Sequence, residues 1–323
     1  MTDRVPERSG RDRPRVSLAH AAQYWALRGV VGALDALSWP RAAAVGAAIG
    51  GAGYWPLGIR RSVVVEQIAA AFPEMSPREV AATARDAYRH LGQSAAEIAL
   101  VPKIGRQGLL DLFEDVRGWS LVEDALAAGR GVIAMTGHVG NWELGGSYFA
   151  ARGAPIDAIA RRMANPLFDR YLTETRGRIG MNIIADSESV RRTARSLRDG
   201  RLVAFVADQG VKGMASTFVP FFGRPAKTPR GPAVFAMRLG VPVLFCAAQR
   251  LPSGRFRMSI ESIPVGDSGD RERDVDLVVA RYTAALERHV REYPAQYFWH
   301  HRRWKRQPPA GTEAEVMALE AEV

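Results

Sequence analysis

The amino-acid sequence predicts an α/β fold: a mostly parallel central sheet flanked by helices on both faces, with a helical N-terminal region before it. Three observations lead there. From about Trp119 onward, short apolar runs alternate with longer helical stretches, the rhythm of strand–helix crossovers. From Arg61 to about Leu112 the apolar spacing is helical throughout. Between Arg41 and Arg60, 18 residues (AAAVGAAIGGAGYWPLGI) pass without a charge. With 323 residues and 47% hydrophobic content the chain can bury a substantial core, and residues 61–306 read as one large domain.

Residues 1–16 (MTDRVPERSGRDRPRV) are polar, rich in Arg and Pro, and lack the apolar stretch of a secretory signal; a disordered tail on a cytoplasmic-side protein is expected. Residues 17–60 read as a helical, membrane-associating segment. Its uncharged stretch approaches the roughly 20 residues that cross a bilayer. Yet 11 of those 18 are Ala or Gly, which contribute little transfer free energy, and Pro56 interrupts the last turn. An interfacial or packed helical hairpin is therefore easier to defend than a span, and soluble helices covering the sheet domain are the other reading. Trp25, Trp39, Tyr54, Trp55 and the Arg60–Arg61 pair favour attachment, and the Gly46-xxx-Gly50 spacing would let two helices approach closely.

Within 61–112, Pro73 and Pro77 mark a turn between two helices, and Ser76-Pro77-Arg78-Glu79 is a helix-start signal. The sequence then predicts a strand at 131–136, a helix at about 141–152, a strand at 156–160 and a helix at about 166–179. A strand at 182–185, a helix at 187–198, a strand at 202–207 and a long irregular loop follow. A helix at 232–239, strands at 242–249 and 256–263, a helix at about 274–293 and a C-terminal tail at 307–323 complete the chain. Such alternation implies right-handed crossovers, and in such sheets ligands bind beyond the carboxyl ends of the strands.

The formal charge is +10, carried by 40 Arg against 4 Lys. Codon composition is one reading of part of that bias. The rest fits an anionic partner, because guanidinium forks match phosphate and carboxylate oxygens; a membrane surface, nucleic acid and phosphorylated substrates all qualify. The basic residues are spread over the chain and form no recognised nucleic-acid module, so no nucleic-acid partner is expected. The single cysteine, Cys246, lies in the apolar run 241–248, which excludes a disulfide framework and reads as a buried strand position.

The most informative segment is His138-Val139-Gly140-Asn141-Trp142-Glu143, directly after the strand at 131–136. It delivers a proton acceptor to a strand end, with a carboxylate five residues on. A lone histidine there is usually structural. Here Arg161 and Arg162 end one neighbouring strand and Asp208-Gln209-Gly210 another, so several polar groups from distant positions converge on one edge. No phosphate-binding Gly loop, GxSxG elbow, HExxH or zinc-spaced Cys/His cluster is present, so neither a metal nor a nucleotide cofactor is expected. Thr136 and Ser147 are the only hydroxyl nucleophiles near His138. That leaves the histidine as general base on a hydroxyl supplied by the acceptor. Positions 138 and 143 lie about 140° apart around a helix, so they meet only if His138 sits on the preceding turn, for which Gly137 and Gly140 give freedom.

These residues carry a family resemblance. His138-Val-Gly-Asn-Trp-Glu143 resembles the H-x4-[D/E] block of glycerolipid-type acyltransferases, in the GNWE form of the late acyltransferases of bacterial lipid A biosynthesis. Arg161-Arg-Met-Ala-Asn-Pro-Leu-Phe-Asp169 is similar to that family's R-x3-NP block. Ala207-Asp208-Gln209-Gly210, Phe218-Val-Pro-Phe-Phe-Gly223 and Ala226-Lys-Thr-Pro-Arg-Gly231 resemble its following blocks, and Trp299-His-His-Arg-Arg-Trp-Lys305 its closing signature. The resemblance spans about residues 20–306. Two departures stand out: Gly210 where the lipid A enzymes commonly carry a second acid, and a less hydrophobic N-terminal anchor. The core blocks and Leu167-Phe-Asp-Arg-Tyr171 are also similar to phosphatidylinositol mannoside acyltransferases.

The resemblance implies a membrane-associated O-acyltransferase on the cytoplasmic face of the inner membrane. Its donor would be acyl carrier protein or a CoA thioester, and its acceptor a hydroxyl of a phosphorylated glycolipid, in first place a lipid A precursor. A phosphatidylinositol mannoside is the alternative acceptor, and an esterase or thioesterase the alternative reaction. His138 would deprotonate the acceptor, with either Glu143 or Asp208 orienting the imidazole. Arg161 would contact a substrate phosphate or the developing oxyanion, or else form an ion pair with Asp208. Asn141, Arg162, Gln209, Arg230, Arg302 and Arg303 are the implied substrate-binding residues, and Phe218 to Phe222 could line an acyl tunnel. No cofactor beyond the acyl donor is implied, and a monomer is expected.

Overall fold

The computed structural model describes residues 16–210 and 213–323, so the tail reading for residues 1–16 falls, Val16 apart, outside the described residues. Strands β1 (Phe113–Arg117), β2 (Val132–Thr136), β3 (Ile156–Ala160), β4 (Asn182–Ala185), β5 (Leu202–Val206), β8 (Val243–Arg250) and β9 (Phe256–Ile263) form one sheet in the order β1-β9-β8-β2-β5-β3-β4. Every adjacent pair is parallel except β8–β9. The fold is thus α/β with a mostly parallel sheet. Strands β6 (Ser216–Phe221) and β7 (Arg224–Pro229) form a separate antiparallel hairpin.

Both faces of the sheet are covered, and the strands show it in their sequences. Ile133, Met135, Val243, Phe245 and Ala247 point into one core, while Val132, Ala134, Leu244, Cys246 and Ala248 point into the other. Strands buried on two sides must be apolar at successive positions, which is why these segments read as continuous runs rather than alternating ones. On the first face lie α3 (Arg61–Ala71), α4 (Pro77–Asp111), α9 (Gly231–Leu239) and α10 (Arg271–Glu292); on the second lie α5 (Trp119–Ala127) and α6 (Trp142–Ala151), which α4 joins through Val101 and Leu109. The capping box at Ser76 and Glu79 starts α4 as the sequence predicts. α4 is broken at Gly105, where φ is 65°. Cys246 lies in the core, and burial pushes its thiol pKa up.

Helices α1 (Leu18–Asp35) and α2 (Trp39–Tyr54) pack against α4. The Gly46-xxx-Gly50 pair serves this contact. A Cβ at Gly46 would meet Ala96 Cβ at 2.6 Å, and one at Gly50 would collide with the Tyr88 carbonyl, while Gly92 of α4 faces both glycines. Among the described residues no helix is long and apolar enough to cross a membrane. The outward side of this region is nevertheless apolar: Trp25 is 69% exposed, Trp55 71% and Leu57 67%.

Two elements differ from the sequence expectation. The irregular loop after β5 contains the β6–β7 hairpin, whose two turn residues Phe222 and Gly223 have φ of 52° and 63°. Such a turn normally carries Asn or Gly at its first position, and Phe222 gives no such signal. It holds this conformation because its N–H donates to Glu287 Oε2 (2.6 Å) and its ring packs on Phe72. β1, with Glu114, Asp115 and Arg117 among its five residues, is an edge strand that hydropathy cannot reveal. The tail at 307–323 includes α11 (Glu313–Ala318), and Leu319 packs into the first core.

Candidate active site

β2 and β5 are adjacent and parallel, with Thr136 in register with Val206. His138 and Asp208 each lie two residues beyond these partners, so the sheet itself sets them side by side. The contact is direct. Asp208 Oδ1 lies 2.6 Å from His138 Nδ1, and Asp208 Oδ2 accepts from the His138 backbone N–H at 3.1 Å. A carboxylate can only accept, so Nδ1 carries the proton and Nε2 presents a lone pair. The Gln209 side-chain amide nitrogen also comes within 3.2 Å of Nδ1.

Asp208 is buried while the His138 side chain is 23% exposed. Burial works against charge on the imidazole, but the Asp208 carboxylate, with Glu143 further off, outweighs it and raises the His138 pKa above its ordinary value. Burial likewise works against the Asp208 anion; His138, followed by Arg303, overcomes this and takes its pKa down to about 2. Trp142 meets the imidazole edge to face at 4.8 Å, and Phe298, whose N–H donates to the His138 carbonyl, flanks it at 5.8 Å.

Of the two carboxylates the sequence left open, Asp208 is the one that touches the imidazole. Glu143, in the first turn of α6, turns away to a bidentate pair with Arg176 of α7 (Pro166–Arg178), with Arg176 Nε donating to Oε2 at 3.0 Å. Arg161 and Arg162 are exposed on the loop after β3 and have no ion-pair partner among the described residues, Asp208 included. β5 stands between β3 and β2, which puts the strands leading to Arg161 and His138 about 10 Å apart, while Asp208, at the end of the adjacent β5, has both oxygens taken by His138. Arg230 is taken by Glu272 (2.8 Å) and Asp276 (3.6 Å). Arg302 is exposed, whereas Arg303 is buried and donates to the Lys227 carbonyl and Thr228 Oγ1, both at 2.6 Å.

Asn141 is buried and works from behind. Its Oδ1 caps α6 by accepting from Leu144 N–H (3.2 Å), and its Nδ2 donates to Glu97 Oε2 (3.0 Å). Glu97 is fully buried and paired with Arg250, while His90 Nε2 lies 3.1 Å from the Gly140 carbonyl. Sequence reasoning missed His90 and Arg250, which a helix position and a strand terminus do not distinguish from surface residues. Gly140, at φ 60°, lies so close to the Ala248 carbonyl that no side chain fits.

Two cavities lie near the pair, one lined by Trp142, which touches the imidazole, and one by Gly210, two residues beyond Asp208. An apolar one of about 80 Å³ runs between the sheet and α6, bounded by Thr136, Trp142, Gly146, Met181, Met258 and the Glu143–Arg176 pair. Phe221 and Phe222 are not part of it; they pack with Phe72, Trp299 and Trp304. A second cavity of about 290 Å³ is strongly cationic and borders Gly210. Among the described residues no group of three or more His, Cys, Asp or Glu could hold a metal ion. The arrangement can therefore take a proton from a hydroxyl at Nε2, beside an apolar slot and an anion-attracting cleft.

Comparison with known proteins shows the family. Residues 13–306 match the family model for bacterial lipid A biosynthesis acyltransferase. The chain is 25% identical over 255 residues to lipid A biosynthesis lauroyltransferase of Escherichia coli, covering 77% of this chain and 80% of the relative. It is 26% identical over 252 residues to lipid A biosynthesis palmitoleoyltransferase of the same species, with the same shares covered. To phosphatidylinositol mannoside acyltransferase of Mycobacterium tuberculosis it is 28% identical over 159 residues, covering 47% of this chain and 50% of that protein.

Proposed function

The chain belongs to the bacterial lipid A biosynthesis acyltransferase family, and on that premise we propose that it moves a fatty acyl chain from a thioester of acyl carrier protein or coenzyme A to a hydroxyl of a lipid-linked saccharide, with His138 as general base. The observation that carries the mechanism is the 2.6 Å pair between His138 and Asp208. With the Nδ1 proton held by Asp208, Nε2 takes the proton of the acceptor hydroxyl. The hydroxyl oxygen attacks the thioester carbonyl carbon, and the carbonyl electron pair moves onto oxygen. Collapse of that tetrahedral species breaks the carbon–sulfur bond, and the departing thiolate takes the proton back from the imidazolium. An ester and a free thiol result, with no protein nucleophile required. Asp208, ionised at neutral pH, stabilises the imidazolium between the two steps.

The donor's acyl chain suits the apolar cavity under α6, whose mouth at Thr136 and Trp142 adjoins the imidazole. Arg161 and Arg162, exposed two strands from His138, suit contact with a substrate phosphate better than with the reacting carbonyl. The outward Trp25, Trp55 and Leu57 support attachment of the N-terminal helices to a membrane surface, which we assign to the cytoplasmic face of the inner membrane. A lipid A precursor is the acceptor we favour. A phosphatidylinositol mannoside is the second reading, favoured by Gly210 at the position where lipid A enzymes commonly carry an acid.

Mass spectrometry of lipids from a strain lacking this protein tests the proposal. Loss of one acyl chain from lipid A is the expected outcome, and loss from a mannoside would select the second acceptor. An unchanged lipid profile, combined with thioester cleavage that needs no lipid, would replace acyl transfer by hydrolysis.

A further inference from the structure

The larger cavity gathers six cations, Arg60, Lys227, Arg302, Arg303, Lys305 and Arg306, from the start of α3, from β7 and from the turn that follows Trp299. None has a carboxylate within ion-pair distance among the described residues. Elsewhere the chain pairs its arginines readily: Arg176, Arg201, Arg250 and Arg257 each hold an acid. Like charges gathered at one cleft repel, and nothing in the described chain neutralises them except Asp208, which His138 already occupies on both oxygens.

The cleft is built rather than incidental. Arg303 is 3% exposed, spends its terminal nitrogens on the Lys227 carbonyl and Thr228 Oγ1, and keeps a buried Nε with no partner. Its backbone N–H donates to Gln67 Oε1 at 2.7 Å, which ties the C-terminal turn to α3. Gly210, two residues past Asp208, forms part of the wall. A Cβ there would lie 2.9 Å from the Lys227 carbonyl, so the position excludes a side chain, acids among them, and the cleft stays open and positive. The site also has an orientation. Arg60 directly follows the exposed apolar residues Trp55, Leu57 and Ile59, so if that loop enters the acyl region of a bilayer, the cations lie at headgroup level.

We propose that this cleft is a phosphate-ester site that holds the phosphorylated headgroup of a lipid beside His138. Guanidinium and ammonium groups around one open volume are the chemistry that recognises a phosphate ester. Phosphate groups also occur on the donor, and the test separates the two sources. The inference rests on the acyltransferase reading only for calling that lipid the acceptor, since binding is measured without turnover.

The experiment measures co-sedimentation of the full chain with phosphatidylcholine vesicles, with and without phosphatidic acid, in the presence and absence of coenzyme A. Wild-type protein should prefer the phosphatidic acid vesicles, and coenzyme A should not displace it. The exposed pair Lys305→Glu/Arg306→Glu should lose that preference by about tenfold or more. Reversal of two exposed arginines away from the cleft, Arg191→Glu/Arg198→Glu, should leave it largely intact, with thermal unfolding confirming that both variants fold. Equal losses in the two variants would reduce the effect to diffuse surface charge and overturn the site. Displacement by coenzyme A would overturn the assignment to a lipid. A wild-type chain that shows the preference yet acylates no lipid keeps the site and loses the acyltransferase reading.

Discussion

The turn at 138–142 stands between two buried polar clusters, each with one histidine and one carboxylate. In front, Asp208 touches His138 and the imidazole pKa is raised. Behind, His90 has no carboxylate contact among the described residues; burial, and then the Arg250 charge, take its pKa down to about 4. Glu97 meanwhile pairs with Arg250 and Asn141, and burial is strong enough to raise its pKa despite them. The same residue types thus serve opposite ends. The front cluster is arranged to accept a proton, and the back cluster holds the turn by hydrogen bonds to Gly140 and Asn141. Partner choice, rather than burial, separates them.

The largest expected effect is in front. His138→Ala should lower kcat/KM for acyl transfer by about 10²–10⁴-fold, and should also lower the unfolding temperature, though not enough to account for that loss, because the buried Asp208 carboxylate loses the partner that holds its pKa down. Retained activity would remove the general base from the mechanism. The back cluster should show the reverse pattern. Glu97→Ala leaves Arg250 without its buried partner and should cost about 3–5 kcal/mol of stability in denaturant unfolding. If Glu97→Ala folded normally and only slowed turnover, the division between the two clusters would fail.

The pH profile sharpens the same contrast. His138 is active only as the neutral imidazole, so activity should rise with pH through its folded-state pKa, which lies above the ordinary value near 6.5. In Asp208→Asn the upward pull of the carboxylate is gone and burial, which lowers the pKa, remains. The acidic limb of log kcat/KM against pH should therefore move to lower pH, while the plateau falls by about 10²-fold as the imidazolium loses its counter-charge. A limb that stayed in place would assign it to another group.

Much of this was legible in the sequence, for stated reasons. Continuous apolar runs such as 131–136 and 242–249 mark strands buried on both faces, and parallel order follows from the helices between them. His138 and Asp208 were visible because each follows such a run by two or fewer residues. Their contact was legible only as one of two alternatives, Asp208 or Glu143, because strand order is not sequence order: β5 neighbours β2 while β3 and β4 lie outside it. The same fact removed Arg161 from the imidazole. The hairpin hid behind Phe222 in a positive-φ position, and the back cluster was invisible because Glu97 and His90 sit on an amphipathic helix where polar residues are ordinary. Arg303 looked like its neighbours Arg302 and Lys305 in a basic run, although packing makes it a fully buried strut.

The smallest effect is expected at Glu143, the residue the sequence placed most temptingly beside His138. It reaches the imidazole only through space, as the last and weakest of the influences on its pKa, and its hydrogen bonds go to Arg176 across the apolar cavity. Glu143→Gln keeps one acceptor for Arg176 and removes the charge. That should shift the acidic limb down by less than Asp208→Asn does, and lower kcat/KM by about tenfold, mainly through KM, as the α6–α7 contact beside the cavity loosens. A fall in kcat as large as that of His138→Ala would instead mean that Glu143 swings from Arg176 to the imidazole once substrate is bound. The two-cluster picture would then need Glu143 as a third member of the front.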